Sequence, residues 1–181
     1  MSEAALPAGT WAADQGHSSV GFAVKHLGIA TVRGNFGEFE GTLTVGENPA
    51  DSKIEGRVKV ASVNTNEADR DAHLLSPDFF DAEQFPEITF VSTSIEAEGD
   101  GEFKIVGDLT IHGVTNSIEL EAEVQGTETD PWGNDRVGLE IEGAISRGDF
   151  GMKFNQALGS GNVLVADKVK LSLDISAVKQ G

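Results

Sequence analysis

Apolar and polar residues alternate with a period of two along most of this chain. In the segment SIELEAEV, Ile118, Leu120, Ala122 and Val124 alternate with three glutamates. Because successive side chains of a β-strand point to opposite faces, each such segment predicts a strand with one buried and one solvated face. Strands of this kind are typical of antiparallel sheets. The same alternation occurs in RVGLEIEGAI, KVKLSLDISA, SVGFAVKH, KIEGRVKV, ITFVSTSIEAE and EFKIVGDLTI.

Turn signals separate these segments and give the strand count. Gly, Pro, Asn and Asp, which favour turns, are concentrated in GENPADS, EGDGE, HGVTNS, DPWGND and NQALGSGN. With a first strand near Thr10–Ala13 and another in TVRGNFGEFEGTLTV, the pattern predicts eight or nine strands. Since no long linker or repeat interrupts the 181 residues, we expect one domain over residues 9–178, with tails at 1–8 and 179–181.

Four of the predicted strands carry a glycine on their apolar side, between large residues two positions away. They are Gly34, Gly56, Gly107 and Gly143. Glycine weakens a strand, so its repeated use requires either a sharp bend or the close approach of another group. In a closed sheet, inner glycines permit curvature and leave space in the lumen. The chain is therefore predicted to be all-β, a single antiparallel eight-stranded barrel whose interior is filled by side chains or holds one small ligand.

The segment from Asn66 to Asp81 departs from the alternation and predicts one short helical insertion. Asn66 can cap its first turn, and Pro77 is expected to end the regular helix near Leu75. The apolar residues predicted to form its buried stripe are Ala68, Ala72, Leu75 and Phe79.

The charge of the chain bears on its partners and its location. Its 30 Asp and Glu against 13 Lys and Arg give a net charge of −17, which repels nucleic acid and anionic lipid headgroups. No apolar run approaches the roughly 20 residues of a membrane-spanning helix. The N-terminus has neither the basic nor the apolar region of a secretory signal. We expect a cytoplasmic protein, or a secreted one if the chain is a processed form.

The residues that could carry chemistry are few and scattered. There is no cysteine, and His17, His26, His73 and His112 lack the close pair spacing of zinc ligands. No G-x-S-x-G elbow, P-loop or dinucleotide fingerprint occurs. The sequence therefore predicts a non-catalytic protein without metal or cofactor. The alternative that stays open is a metal-dependent or small-molecule enzyme on the same barrel that uses these histidines.

Two arginines have two interpretations each. Arg70 is adjacent to Asp71 in the predicted helix, and Arg147 belongs to the segment SRGDFG. Arginine either binds a phosphate or carboxylate with two parallel hydrogen bonds, or forms a structural ion pair with an aspartate. Both interpretations stay open from the sequence.

Four segments of the chain, in this order, carry a family resemblance. They are DQGHSSVGFAVKHLGIATVRGNFGEFEGTL, NEADRDAHLLSPDFFDAEQFPEITFVST, GDLTIHGVTNSIEL and ISRGDFGM. As a set they resemble the YceI-like, polyisoprenoid-binding family, and the resemblance covers about Gly9 to Ala177. It implies a lipocalin-like barrel whose lumen holds a long apolar ligand, with the helical segment bordering one end of the pocket.

The resemblance implies a long-chain isoprenoid, a quinone or a fatty-acid derivative as the ligand. A homodimer through a strand edge or the helix is a further expectation. The candidates for polar contacts with a headgroup are His17, Arg70, His73 and Arg147. The candidates for the apolar lumen are Phe22, Phe36, Leu75, Phe79, Phe80, Phe90, Leu109 and Phe150.

Overall fold

A computed structural model of the protein describes residues 7–155 and 164–180. In this part of the chain there are eleven β-strands and one α-helix. The strands are β1 (Gly9–Ala13), β2 (Ser19–His26), β3 (Ala30–Phe36), β4 (Phe39–Val45), β5 (Lys53–Lys59), β6 (Val63–Asn64), β7 (Glu87–Gly99), β8 (Glu102–Ile111), β9 (Val114–Thr129), β10 (Asp135–Ser146) and β11 (Val165–Lys179), and the helix is α1 (Ala68–Leu74). Short 3₁₀ turns occur at Gln15–His17, Pro49–Asp51, Val60–Ser62 and Arg147–Phe150.

Eight of the strands form a closed ring. Their order is β1-β4-β5-β7-β8-β9-β10-β11, and the ring closes because β1 pairs with both β4 and β11. Every pairing in it is antiparallel. The prediction of an all-β, eight-stranded antiparallel barrel with a single short helix is confirmed.

The other three strands extend one end of the barrel. β11 pairs with β1 near its C-terminus and with β2 further towards its N-terminus, and β2 continues through β3 to β6. The strand predicted as one unit in TVRGNFGEFEGTLTV is divided into β3 and β4. Phe36 and Phe39 explain the break, because both are buried although they are three residues apart. In an unbroken strand they would face opposite sides.

The helix is shorter than the predicted insertion and begins differently. Glu67 rather than Asn66 is the cap, since its carboxylate accepts a hydrogen bond from the backbone N–H of Asp69. Regular helix ends at Leu74, close to the end predicted from Pro77. The predicted stripe is wrong at Ala68 and Ala72, which are exposed, whereas Leu74 and Leu75 are half-buried. With only two turns, the helix buries whichever residues meet the barrel.

The core has one cluster at each end of the barrel. Trp11, Ile105 and Val137, each 1% exposed, belong to the cluster far from α1. Val60 and Phe150, also 1% exposed, belong to the cluster beside α1, against which Leu74, Leu75 and Phe80 pack. We call these the deep end and the helix end.

Three of the four inner glycines make room for a side chain on a neighbouring strand. The groups that occupy the space beside Gly34, Gly107 and Gly143 are the rings of Phe22 and Phe90 and the side chain of Leu120, respectively. Gly56 differs, because the nearest atom to a β-carbon there would be the Glu40 carbonyl oxygen at 3.7 Å. Only Gly56 of the four therefore leaves open space inside the barrel.

Candidate functional site

The barrel encloses two adjoining cavities. The deep chamber, at the deep end, has a volume of about 190 Å³. The helix chamber, beneath α1, has a volume of about 430 Å³. The residues that line both are Phe22, Phe36, Ile88, Ile111 and Leu171. Because the chambers share these walls, they lie next to each other, and we call the two together the lumen, which runs from α1 towards the deep end.

The deep chamber is an apolar compartment. Its surface is formed almost wholly by carbon atoms, with Trp11, Leu43, Ile54 and Phe90 among its lining residues. Alternation of the strands accounts for this, since their inner positions are the apolar ones and their carboxylates point outwards. An apolar chain can enter this compartment without desolvating any polar side chain that faces inwards.

The helix chamber carries the polar groups of the lumen. Asp69, Arg70 and His73 come from α1, and Lys25 and His26 come from β2. Arg147 is added from the end of β10. The lumen is therefore apolar over most of its surface, and its few polar groups lie at the helix end.

Arg70 is held by Thr65 instead of by the neighbouring Asp71. Its Nε donates to the Thr65 hydroxyl at 2.8 Å and its Nη2 to the Thr65 carbonyl oxygen at 2.6 Å. Asp71 accepts from the same threonine, from its backbone N–H at 2.8 Å and its hydroxyl at 2.6 Å. The two hydrogen bonds that Arg70 donates use two of the five N–H donors of its guanidinium. The structural ion pair considered for Arg70 is therefore replaced by a shared contact with the buried Thr65.

Arg147 is buried and serves as a clamp on backbone carbonyls. It donates to the carbonyl oxygens of Met152 at 2.8 Å, Ala166 at 2.9 Å and Val165 at 3.1 Å. Burial lowers the pKa of Arg147, and the negative charge of Asp167 opposes that shift. The guanidinium thus ties the end of β10 to the start of β11, which fixes one wall of the helix chamber.

Asp167 itself is engaged by two donors other than an arginine. The Ser146 hydroxyl and the Gly148 backbone N–H both donate to its carboxylate. These bonds, the Ser146 bond first, lower the pKa of Asp167. Neither interpretation of Arg147 from the sequence foresaw that its partners would be backbone carbonyls.

An aromatic cluster surrounds His73 at the helix chamber. Its ring lies 5.0 Å from that of Phe79 and 5.2 Å from that of Phe154, edge to face, and its Nε2 lies 2.9 Å from Asp78. Sequence reasoning missed Phe154, which follows the 3₁₀ turn and has no strand pattern to identify it. It also missed His26, which occupies the inner register of β2 and could have been found by that register.

Some of the predicted site residues line the two chambers and others lie outside them. The predicted apolar residues that line the chambers are Phe22, Phe36, Phe79, Phe80, Phe90 and Leu109. Phe150 and Leu75 pack in the core beside the lumen without lining it. His17 is exposed on the 3₁₀ turn between β1 and β2, where its Nδ1 lies 2.8 Å from Asp14, outside both chambers. The ligand contacts of the lining residues stay a prediction.

The histidines are dispersed over the barrel. In residues 7–155 and 164–180, no three His, Cys, Asp or Glu side chains come together in a way that could hold a metal ion. His112, for example, lies 3.1 Å through Nδ1 from the Phe150 carbonyl oxygen and packs against Phe85. No helix in the same part of the chain has the length and apolar character to span a membrane.

Comparison with known proteins gives both a family and a fold. The family model for the YceI-like domain matches residues 11–177. Protein YceI of Escherichia coli O157:H7 is 42% identical over 165 residues, which are 91% of this chain and 83% of that protein.

Two solved structures have the same fold at lower identity. Burkholderia cenocepacia BcnA superposes with a TM-score of 0.80 at 21% identity, over 91% of this chain and 98% of that one. A domain from Saccharophagus degradans, described as polyisoprenoid-binding, superposes with a TM-score of 0.71 at 14% identity, over 94% and 98%. At these identities the two likenesses show the fold alone. The family match and the similarity to the E. coli protein, in contrast, establish that this chain belongs to the YceI-like domain family.

Proposed function

We propose that this protein is a non-catalytic binding protein that holds a long-chain amphiphilic lipid, of polyisoprenoid, quinone or fatty-acid type, in its lumen. The observation that carries the proposal is the lumen itself, an apolar deep chamber that adjoins a helix chamber bearing the polar groups. Together the two volumes fall within the roughly 300–1,000 Å³ of small-molecule pockets. The fold shared with a domain described as polyisoprenoid-binding supports the same class of ligand.

Burial of an apolar chain supplies the binding energy. Each methylene removed from water contributes about 0.8 kcal/mol, so ten of them give roughly 8 kcal/mol before the entropic cost of association. Such an interaction depends on the length and width of the chain more than on its identity. The lumen therefore selects a class of ligand, and the role follows as carriage, storage or sequestration of that class.

Polar contacts at the helix end would orient the ligand. Arg70 keeps donors beyond its two bonds to Thr65, and His73 lies beside it on α1. A hydroxyl, carbonyl, carboxylate or phosphate headgroup would be bound there, while the tail extends towards Trp11. The reverse orientation would place the polar headgroup in an apolar chamber without a hydrogen-bond partner, which is costly.

Native mass spectrometry of the purified protein, followed by organic extraction, tests the proposal directly. A stoichiometric long-chain lipid in the extract is the expected result. A protein that arrives empty and also fails to bind isoprenoid alcohols, quinones and fatty acids on titration would refute the proposed function.

The two tryptophans allow the orientation to be tested as well. Trp11 is 1% exposed and lines the deep chamber, whereas Trp132 is 80% exposed on the β9–β10 turn. In a Trp132→Phe variant, fluorescence reports on the deep chamber alone. A fatty acid brominated at the end of its chain should quench Trp11, and one brominated beside the carboxylate should quench it much less. Equal quenching by both probes would contradict the tail-first orientation.

A further inference from the structure

Two groups can be distinguished among the 13 Lys and Arg residues of this acidic protein. Those in the first group form ion pairs with carboxylates, and they are Lys53, Arg57, Lys59, Lys104 and Arg136. Those in the second group lie on β2, β3 and β11, are exposed and form no ion pair with any residue of the described chain, and they are Lys25, Arg33, Lys168 and Lys170. Lys153 is exposed and without an ion pair to the described residues as well, but it lies outside these strands. A protein with net charge −17 has carboxylates to spare, so four cations without one are an unusual concentration of positive charge.

Strand register brings the second group together. Lys170 on β11 is paired with Ala23 on β2, and Ala23 is paired with Arg33 on β3, so the three lie in one row. Lys25 is two residues from Ala23 on β2, and Lys168 is two residues from Lys170 on β11, so both lie on the same outer faces as that row. All four line one concave groove on the outside of the barrel. We call this surface the cationic face.

The acidic residues of the groove lie on its other side. Glu121 on β9 and Glu142 on β10 belong to the groove, and they are cross-strand neighbours. Because the strand order is β9-β10-β11-β2-β3, these carboxylates and the cationic face occupy successive strands of the same wall. The outer surface of the barrel is thus polarised.

An exposed aliphatic residue stands at the edge of the cationic face. Ile29 lies in the turn between β2 and β3 and is 79% exposed. The same hairpin forms a wall of the helix chamber, through Val24, His26 and Val32, and Lys25 lines both the chamber and the groove. The cations, the aliphatic tip and one wall of the helix chamber are therefore carried by one hairpin and the strand beside it.

We propose that the cationic face and the tip at Ile29 dock this protein onto an anionic phospholipid bilayer. Lys and Arg attract anionic headgroups over about one Debye length, and an exposed aliphatic side chain can enter the headgroup boundary. Docking in this way places the helix chamber at the bilayer surface. The further step, in which a lipid passes from the bilayer into the lumen, rests on the proposed function. The docking surface itself does not rest on it.

The negative net charge of the chain opposes such docking, but most of the carboxylates lie away from the cationic face. At physiological ionic strength the Debye length is about 8 Å, so carboxylates on the far strands are screened from the bilayer. At about 0.01 M salt it is about 30 Å, and the whole negative charge of the protein is felt. Binding should therefore pass through a maximum with rising salt, because high salt also screens the cationic face.

The test is sedimentation with vesicles of phosphatidylcholine, with and without about 30% phosphatidylglycerol, near physiological ionic strength. The intact protein should bind only the vesicles that contain phosphatidylglycerol. Since each Lys or Arg near an anionic surface strengthens binding about fivefold, Lys168→Glu with Lys170→Glu should weaken it at least roughly 25-fold. Ile29→Ser should weaken it about tenfold by loss of the aliphatic contact.

A matched control has the same net charge as the double variant. Lys53→Glu with Lys59→Glu changes two exposed lysines on β5, three strands away from β11 around the ring. This control should bind the anionic vesicles as the intact protein does. If the two double variants weaken binding equally, net charge alone governs the interaction and the proposal is wrong.

Other outcomes overturn the proposal in favour of another partner. If the intact protein ignores anionic vesicles at every salt concentration, the cationic face is not a membrane surface. If it then self-associates in ultracentrifugation and the Lys168→Glu/Lys170→Glu variant does not, the face contacts the carboxylates of a second copy.

A second measurement separates docking from ligand binding. A fluorescent isoprenoid should move from anionic vesicles to the intact protein faster than to the Lys168→Glu/Lys170→Glu variant, while both bind it equally from detergent. Equal transfer rates would contradict the role of the face in loading. If neither protein binds the isoprenoid but vesicle docking persists, the proposed function fails and the docking surface stands.

Discussion

Gly56 gives direct control over the length of the lumen. A β-carbon at this position would point into the deep chamber, where the nearest atom is the Glu40 carbonyl oxygen at 3.7 Å. Gly56→Leu therefore adds four carbon atoms to a chamber of about 190 Å³ without forcing a neighbouring strand to move. The far end of a long ligand would lose the same space.

The size of the effect follows from the chain that is displaced. Four methylenes at about 0.8 kcal/mol each give about 3 kcal/mol, or roughly a hundredfold in Kd. A ligand short enough to lie in the helix chamber alone should bind the variant with unchanged affinity. The variant should thus discriminate by chain length, and its effect should not be a general loss of affinity.

Isothermal titration with geraniol and with a long-chain polyprenol measures this difference. Gly37→Leu is the matched control, because Gly37 is exposed and has no atom within 4 Å of where its β-carbon would lie. The control should bind both ligands as the intact protein does. Thermal unfolding of both variants shows whether either substitution disturbs the barrel.

Two results would refute the reasoning. If Gly56→Leu weakens binding of the short and the long ligand equally, the chamber is not a compartment for the end of the chain. If it weakens neither, the ligand does not reach the deep chamber, and the assignment of Trp11 as a contact for the tail fails with it.

Three further predictions concern stability and are measured by urea unfolding. Arg147→Met should lower the free energy of unfolding by about 3 kcal/mol, because three backbone carbonyls lose their buried donor; a loss below about 1 kcal/mol would show that water replaces it. In the folded protein the pKa of Asp130 is lowered from 3.8 to about 2, chiefly because Arg136 donates a hydrogen bond to its carboxylate. The ionised carboxylate therefore stabilises the fold above pH 3.8, and this contribution is lost as the pH falls towards 2. Asp130→Asn should accordingly flatten the decline of stability over that window, and an unchanged decline would contradict the assignment. Gly107→Ala should cost about 1–3 kcal/mol, since its β-carbon would overlap the Phe90 ring and the Val91 carbonyl oxygen, whereas a variant as stable as the intact protein would mean that both the ring and the backbone can shift.

The barrel could be predicted because its signal is local. Alternation along a segment such as SIELEAEV shows which residues face inwards without knowledge of the neighbouring strand, and Ile118 and Leu120 indeed line the deep chamber. The end of the helix was equally local, because the proline at position 77 restricts the residues before it. The division of one predicted strand into β3 and β4 was not, since it arises from the burial of both Phe36 and Phe39.

The candidate site was predicted in its apolar part and only incompletely in its polar part. Phe22 and Phe90 could be placed inside from their strand registers, but the sequence does not show that they fill the space beside glycines on adjacent strands. Arg70 and Arg147 were recognised as important without their partners. Those partners, Thr65 and three backbone carbonyls, come into reach only through the path of the chain.

Residue order or composition alone was enough to predict the class of fold, the family and the sign of the net charge. Contacts between distant parts of the chain set where the lumen stays open at Gly56, how the end with the polar groups is built, and how the cations gather on one outer face. Lys25, Arg33 and Lys170 lie on three different strands, and nothing in their order along the chain requires them to meet. Their proximity follows from the pairing register of β11, β2 and β3, which is a property of contacts distant in sequence.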